Sequence, residues 1–228
     1  LQQAYWASRP ATIKTWVGGK LKLFQPSEQF MLGAPRRQPG RRANEAERAV
    51  RLERPFYLAT NETTNGQFKR WKDRHSSTAV KGQTLDMADQ PAAKVSWEDA
   101  ALFCNWLSRK EGLPAFYIIE EGRITGTNWD AHGYRLPTEA EWAWAARVDS
   151  QSTSQVFPWA NELYPPLQIS GNYADQSARG FLSFTLPNYN DQYPVSAVVG
   201  SFPANGKGLY DMSGNVAEWV NDYFDIRP

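Results

Sequence analysis

The sequence predicts an α+β domain of short strands, about three helices and a large share of irregular chain. Three observations lead there. Ser or Thr residues with an acidic or amide residue three positions on stand at Thr64, Ser96 and Thr138, each ahead of apolar residues at helical spacing. Brief apolar runs bounded by Pro, Gly and Ser mark strands in the first half of the chain. After Arg147 little periodicity remains, and Pro, Gly, Asn and Asp are spread among aromatics. Irregular chain of that extent points to a loop system organised by function or by a ligand.

Residues 1–20 show no clear periodicity and read as an N-terminal arm or the end of a preceding region, in which Trp6, Trp16 and Val17 can pack peripherally. Residues 21–228 are read as one domain. Leu21 and Leu23, and then Phe30-Met-Leu-Gly33, predict short strands separated by the turn Gln25-Pro26-Ser27. A loop rich in Arg and Pro follows. Ala49–Leu52 predicts a strand that runs on into Pro55-Phe-Tyr-Leu58. A helix starts at Thr64, with Gln67 completing a capping box and Phe68 and Trp71 on one face. Residues 73–90 are polar and predict loop. At Ser96 the next helix begins, Asp99 completing its box, with Ala100, Phe103, Cys104 and Leu107 forming the buried stripe. Gly112-Leu-Pro114 ends it, and Phe116–Ile119 predicts a strand. The third helix starts at Thr138, caps with Glu141 and buries Trp142, Ala145 and Ala146.

Composition excludes several functions. The 25 basic and 24 acidic residues nearly cancel, so there is no global field for nucleic acid or an anionic membrane. No apolar run is long enough to predict membrane insertion. Arg36, Arg37, Arg41 and Arg42 lie among Pro, Gly, Asn and Glu and read as a solvated loop. With one cysteine, Cys104, these residues can form neither an intrachain disulfide nor a site of two thiolates. Cys104 has no adjacent His or basic residue and reads as a small core residue. Two histidines, His75 and His132, cannot make a three-histidine metal site. Ten tryptophans and an aromatic fraction of 14% suit an irregular fold, because large rings bury much area for few fixed torsions. No Gly-rich phosphate loop, nucleophile elbow or metal-binding histidine pair is present.

The richest stretch is Gly208-Leu-Tyr-Asp-Met-Ser-Gly-Asn-Val-Ala-Glu-Trp219. Oxygen-bearing side chains at Asp211, Ser213, Asn215 and Glu218, with glycines that let carbonyls turn inward, could surround a hard cation. The same residues also make an ordinary polar turn. Elsewhere, Glu139 and Glu141 lie two positions apart on a helix and do not share a face, which argues against a paired acid and base. Glu141 reads as a cap, and Arg135 and Glu62 as buried ion-pair or hydrogen-bond anchors.

The stretch Gly133-Tyr-Arg-Leu-Pro-Thr-Glu-Ala-Glu-Trp-Ala-Trp-Ala-Ala-Arg147 resembles the sulfatase-modifying-factor family, whose namesake is the formylglycine-generating enzyme. Phe30–Gly33, Phe56–Asn65, Pro91–Trp106, Phe157-Pro-Trp159, Gly171-Asn-Tyr-Ala-Asp175 and Gly208–Trp219 follow in the family's order. The resemblance implies a C-type-lectin-like variant fold with a small, twisted antiparallel sheet. It also implies two calcium sites. The first would use the Asn172 and Asp191 side chains with the carbonyls of Tyr173 and Tyr193; the second, the Asp211 side chain with the carbonyls of Met212, Gly214 and Val216. Family members that oxidise a sulfatase cysteine hold copper(I) on a cysteine pair near the C-terminus. That pair, and the closing Arg-Gly-Gly-Ser and Gly-Phe-Arg segments, are not among these residues, so this chain does not support copper.

Two functions follow as expectations: a calcium-stabilised, non-catalytic binding or accessory module for a protein, peptide or glycan, or a copper-dependent oxidase if a cysteine pair lies beyond Pro228. Leu1-Gln-Gln-Ala lacks a start methionine and a signal-peptide pattern, so the chain is expected to be part of a larger protein. A calcium-loaded lectin-type domain without disulfides suits a bacterial periplasm better than a eukaryotic secretory lumen.

Overall fold

A computed structural model describes residues 6–149, 153–159 and 164–224. Leu1–Tyr5, at the start of the expected arm, and residues 225–228, at the end of the expected domain, lie outside them. The architecture is α+β. A three-stranded antiparallel sheet, in the order β1-β2-β5, is made by β1 (Thr12–Lys14), β2 (Lys20–Phe24) and β5 (Phe56–Ala59). Among the described residues the other strands form three antiparallel pairs: β3 (Gln29–Leu32) with β4 (Arg48–Arg51), β6 (Ala79–Val80) with β7 (Gln83–Thr84), and β8 (Tyr117–Glu120) with β9 (Arg123–Thr127). The helices are α1 (Asn65–Lys69), α2 (Trp97–Lys110) and α3 (Glu139–Arg147). No helix among the described residues is long and apolar enough to cross a membrane.

Local chemistry sets each helix start. Thr64 and Thr138 make reciprocal capping boxes with Gln67 and Glu141. At Ser96 the box is only half formed: the hydroxyl accepts from the Asp99 N–H, while the Asp99 carboxylate turns away to Lys72 at 2.8 Å. An available cation outcompetes a backbone N–H for that carboxylate.

Several expectations are corrected. The run Ala49–Leu58 is not one strand: β4 pairs with β3, whereas β5 pairs with β2 in another sheet. Residues 73–90 contain the short hairpin β6-β7, which is too brief to show alternation. The arm contributes β1, whose register sets Ile13 opposite Leu21, while Trp16 meets the Trp106 ring edge to face at 5.6 Å. On α2, Ala101 is fully buried and Ala100 only partly so. This helix is covered on two sides, so a single stripe describes it poorly. One side joins Phe68, Phe103 and Leu107; the other joins Ala101, Phe116 and Tyr117, with Cys104 against them.

The core that matters for function lies under α3. Phe24, Ala145, Ala146, Leu209 and Met212 form one buried cluster, with Phe56, Leu58, Trp142 and Trp144 packed on it. Burying a side chain such as Leu209 contributes about 1.5–3 kcal/mol. Leu209 and Met212 therefore pin the Gly208–Trp219 stretch to the sheet and to α3. Buried amides tie down other irregular chain. Asn105 donates to the Tyr117 carbonyl at 2.7 Å and accepts its N–H at 3.0 Å, and Gln90 donates to the Ser196 carbonyl at 2.7 Å.

Arg36, Arg37 and Arg42 are exposed, and Arg41 folds back to donate to the Ala34 carbonyl at 2.9 Å, as a solvated loop requires. Arg135 is anchored as expected, paired at 2.6 Å with Glu141, the residue that also completes the α3 capping box.

Candidate metal centre

Two segments that are distant in sequence cross here, backbone on backbone. Asn215 N–H donates to the Asn172 carbonyl at 2.9 Å. A Cβ on Gly214 would stand 2.2 Å from that carbonyl oxygen, and one on Gly171 would stand 2.2 Å from the Ser213 oxygen. Only glycine permits such an approach. Asp211, Gly214 and Asn215 all take positive φ, at 55°, 85° and 61°. Asp and Asn visit that region more readily than other side-chain-bearing residues.

The crossing lines a hollow of about 680 Å³, bounded by Asn172, Tyr173, Asp211, Met212, Gly214 and Val216 among others. All four residues expected of the second calcium site thus face one space. Asp211 is buried; its Oδ2 accepts the Gly200 N–H at 2.6 Å, while its Oδ1 is buried with no partner. Burial pushes its carboxyl up, against the Gly200 hydrogen bond. Among the described residues no backbone N–H donates to the carbonyls of Met212, Gly214 or Val216. Unsatisfied oxygens of this kind suit a hard cation.

Glu62 joins them. Its Oε2 accepts from the Asn215 amide at 2.8 Å, across 153 positions of chain, the Val216 N–H also favours the charged carboxylate, and its buried Oε1 has no hydrogen-bond partner among the described residues. Burial, then the negative fields of Asp211 and Glu218, push its carboxyl up to about 9. Glu218 accepts from the Trp142 indole at 2.8 Å. Although it is an exposed residue overall, protein crowded around its carboxyl pushes that group up to about 7. Among the described residues no three His, Cys, Asp or Glu side chains converge into a metal site by themselves, so a seat here must draw on carbonyl oxygens as well. The far side of the loop is fixed by indoles: Trp219 donates to the Val95 carbonyl at 2.8 Å and Trp97 to the Val220 carbonyl at 2.9 Å.

The residues expected of the first calcium site also come together, in a different state. Asp191 is buried, and its oxygens accept the N–H groups of Tyr173 at 2.8 Å and Tyr193 at 2.7 Å. The Asn172 amide donates to the Val195 carbonyl at 2.6 Å. Asp175 is fully buried and accepts from the Asp191 N–H. Burial raises the Asp191 carboxyl, opposed by the two N–H donors and reinforced by Asp175. Its lone pairs are therefore already engaged. The second site offers more open oxygens.

Cys104 is no ligand. It packs against Ala101, Phe116 and Tyr117, and burial pushes its thiol up to about 12. The native protein should react with a thiol reagent about a hundredfold or more slowly than the denatured chain; equal rates in a time-resolved labelling assay would contradict this placement.

Fold and site define a class, an α+β domain whose irregular half is built around buried carboxylates. The chain belongs to the sulfatase-modifying factor enzyme 1-like domain family, whose model matches residues 18–227. It is 32% identical over 144 residues to formylglycine-generating enzyme of Mus musculus, covering 63% of this chain and 30% of that protein. It is also 32% identical over 180 residues to chaperone protein LppX of Paenibacillus barcinonensis, covering 72% of this chain and 61% of that one. The matches thus span less than two thirds of either relative. Among solved structures, Treponema denticola variable protein 1 shares the fold, with a TM-score of 0.73, 22% identity and coverage of 95% and 78%.

Proposed function

We propose that this chain is a calcium-stabilised, non-catalytic member of the family, a C-type-lectin-like module that binds or assists a protein, peptide or glycan. The observation that carries the reading is the pair of buried carboxylate oxygens without a hydrogen-bond partner among the described residues, one on Asp211, which lines the hollow, and one on Glu62, which is hydrogen-bonded to the lining residue Asn215. A divalent ion held there by Glu62, Asp211 and the carbonyls of Met212, Gly214 and Val216 would satisfy both and lock the loop. Asn172, Tyr173, Asp191 and Tyr193 are proposed as the other seat, reached by turning the Asp191 oxygens away from the two amides. The relative described as a chaperone supports an accessory role.

The likeness to formylglycine-generating enzyme favours the alternative, a copper-dependent oxidase whose cysteine pair would follow residue 228. One experiment separates the two. Full-length protein is incubated with a Cys-bearing sulfatase peptide, copper(I) and oxygen, and aldehyde is sought by mass change and hydrazide labelling. No conversion is expected; formation of aldehyde would replace the binding module with the oxidase.

A further inference from the structure

A second hollow, of about 440 Å³, lies on the other side of α3, away from the carboxylate loop. Trp144, Val148, Pro26, Pro158 and Trp159 supply apolar walls, and Lys207 enters it. That volume takes a small organic molecule.

The turn that presents Lys207 is fixed at both ends. Asn205 Oδ1 accepts the N–H groups of Lys207 at 3.0 Å and Leu209 at 3.1 Å, and its amide donates to the Ala145 carbonyl at 2.9 Å. Lys22 donates to the Lys207 carbonyl, so a second cation holds the same turn. The Lys207 Nζ lies 4.5 Å from the centre of the Trp144 ring. Among the described residues it makes no ion pair. The charged groups facing it are Asp149, Glu28 and Arg147 in the hollow, and Lys22 behind the turn.

We propose that Lys207 is a covalent docking site for small aromatic aldehydes, which it captures as an imine against Trp144 and Trp159. A lysine partly desolvated against apolar walls holds a larger share of the neutral amine that attacks carbonyl carbon. Burial pushes Lys207 down to about 8, with Asp149 opposing. The Nζ lone pair forms the C–N bond while the carbonyl π pair moves to oxygen, which takes a proton. The carbinolamine then expels that oxygen as water, leaving the imine with no change in oxidation level. The indole walls stack on the ring and shield the imine from water.

The test uses benzaldehyde with cyanoborohydride, which delivers hydride to the imine carbon, followed by peptide mapping. At pH 7.5 the benzyl adduct is expected on Lys207 about tenfold or more faster than on the exposed Lys14 and Lys20. Formaldehyde, which has no ring to stack, should show a smaller preference, the part that the free amine alone provides. Lys207→Arg keeps the charge over Trp144 and should retain the melting temperature while losing the favoured adduct. Adducts spread evenly over the lysines, or the same preference with formaldehyde, would overturn the proposal. Neither outcome depends on whether calcium binds.

Discussion

Calcium added to chelated protein is expected to raise its melting temperature by about 5–10 °C, and Glu62→Gln to remove most of that rise. An ion at about a hundred times its dissociation constant stabilises the folded state by about 2.7 kcal/mol. For a chain of this length each kcal/mol moves the midpoint by about 2–4 °C. The variant separates a ligand from a structural hydrogen bond because its two effects have opposite sign. Glu62 has its folded value raised from 4.5 to about 9. Below 4.5 both states are protonated and it costs nothing. Between those values the unfolded chain ionises while the native chain keeps its proton, so the cost to stability grows as pH rises through the window. At pH 7.5, then, the amide should leave the chelated protein no less stable, or more so, than the wild type. With calcium present the order should reverse, because the amide brings no charge to the ion. Asp211→Ala should likewise lose the calcium response and loosen the last loop while leaving α2 and α3 folded. Differential scanning fluorimetry with and without chelator reads all of this. A full calcium rise in Glu62→Gln would remove that residue from the site.

How far the sequence reveals this arrangement depends on how local the cause is. Helix starts were legible because a cap and its partner lie three residues apart, as at Thr64 and Thr138. Strand partners were not, since nothing near Ala49 or Phe56 says which sheet either joins. β1 and the β6-β7 hairpin are too short to show alternation, and β9 contains Gly126, which weakens its strand signal. The oxygen-rich loop stands out by composition, yet a polar turn has the same composition, and the buried Asp211 oxygen, which finds no hydrogen-bond partner among the described residues, becomes visible only in the fold. Glu62 illustrates the remaining gap. Its sequence neighbourhood suggested an anchor, and it does accept a hydrogen bond from Asn215, but only the fold sets it beside Asp211. Asp175 lay inside a recognised motif without an assigned role, and its part emerges only from its contact with the Asp191 amide.

Glu141→Ala is expected to cost about 3–5 kcal/mol, a fall of about 6–20 °C in melting temperature. The carboxylate accepts from Arg135 at 2.6 and 2.7 Å and from the Thr138 N–H at 2.8 Å. Its side chain is 11% exposed and that of Arg135 is 22% exposed. The guanidinium also lies over the rings of Phe116 and Trp129, 5.6 and 5.3 Å from their centres. Removing Glu141 strands that cation among aromatics, with the Leu136 carbonyl at 2.9 Å as its remaining hydrogen-bond partner in the described structure, and removes the carboxylate half of the α3 capping box. Because α3 supplies Ala145 and Ala146 to the cluster that seats Leu209 and Met212, the loss should reach the Gly208–Trp219 loop. The double variant Arg135→Met with Glu141→Leu tests the cause. Replacing both partners with apolar groups of similar volume leaves no buried charge, so most of the loss from the stranded cation should return while the loss of the cap persists. Equal losses in the single and double variants would instead assign the whole effect to helix capping and packing, with the ion pair contributing nothing.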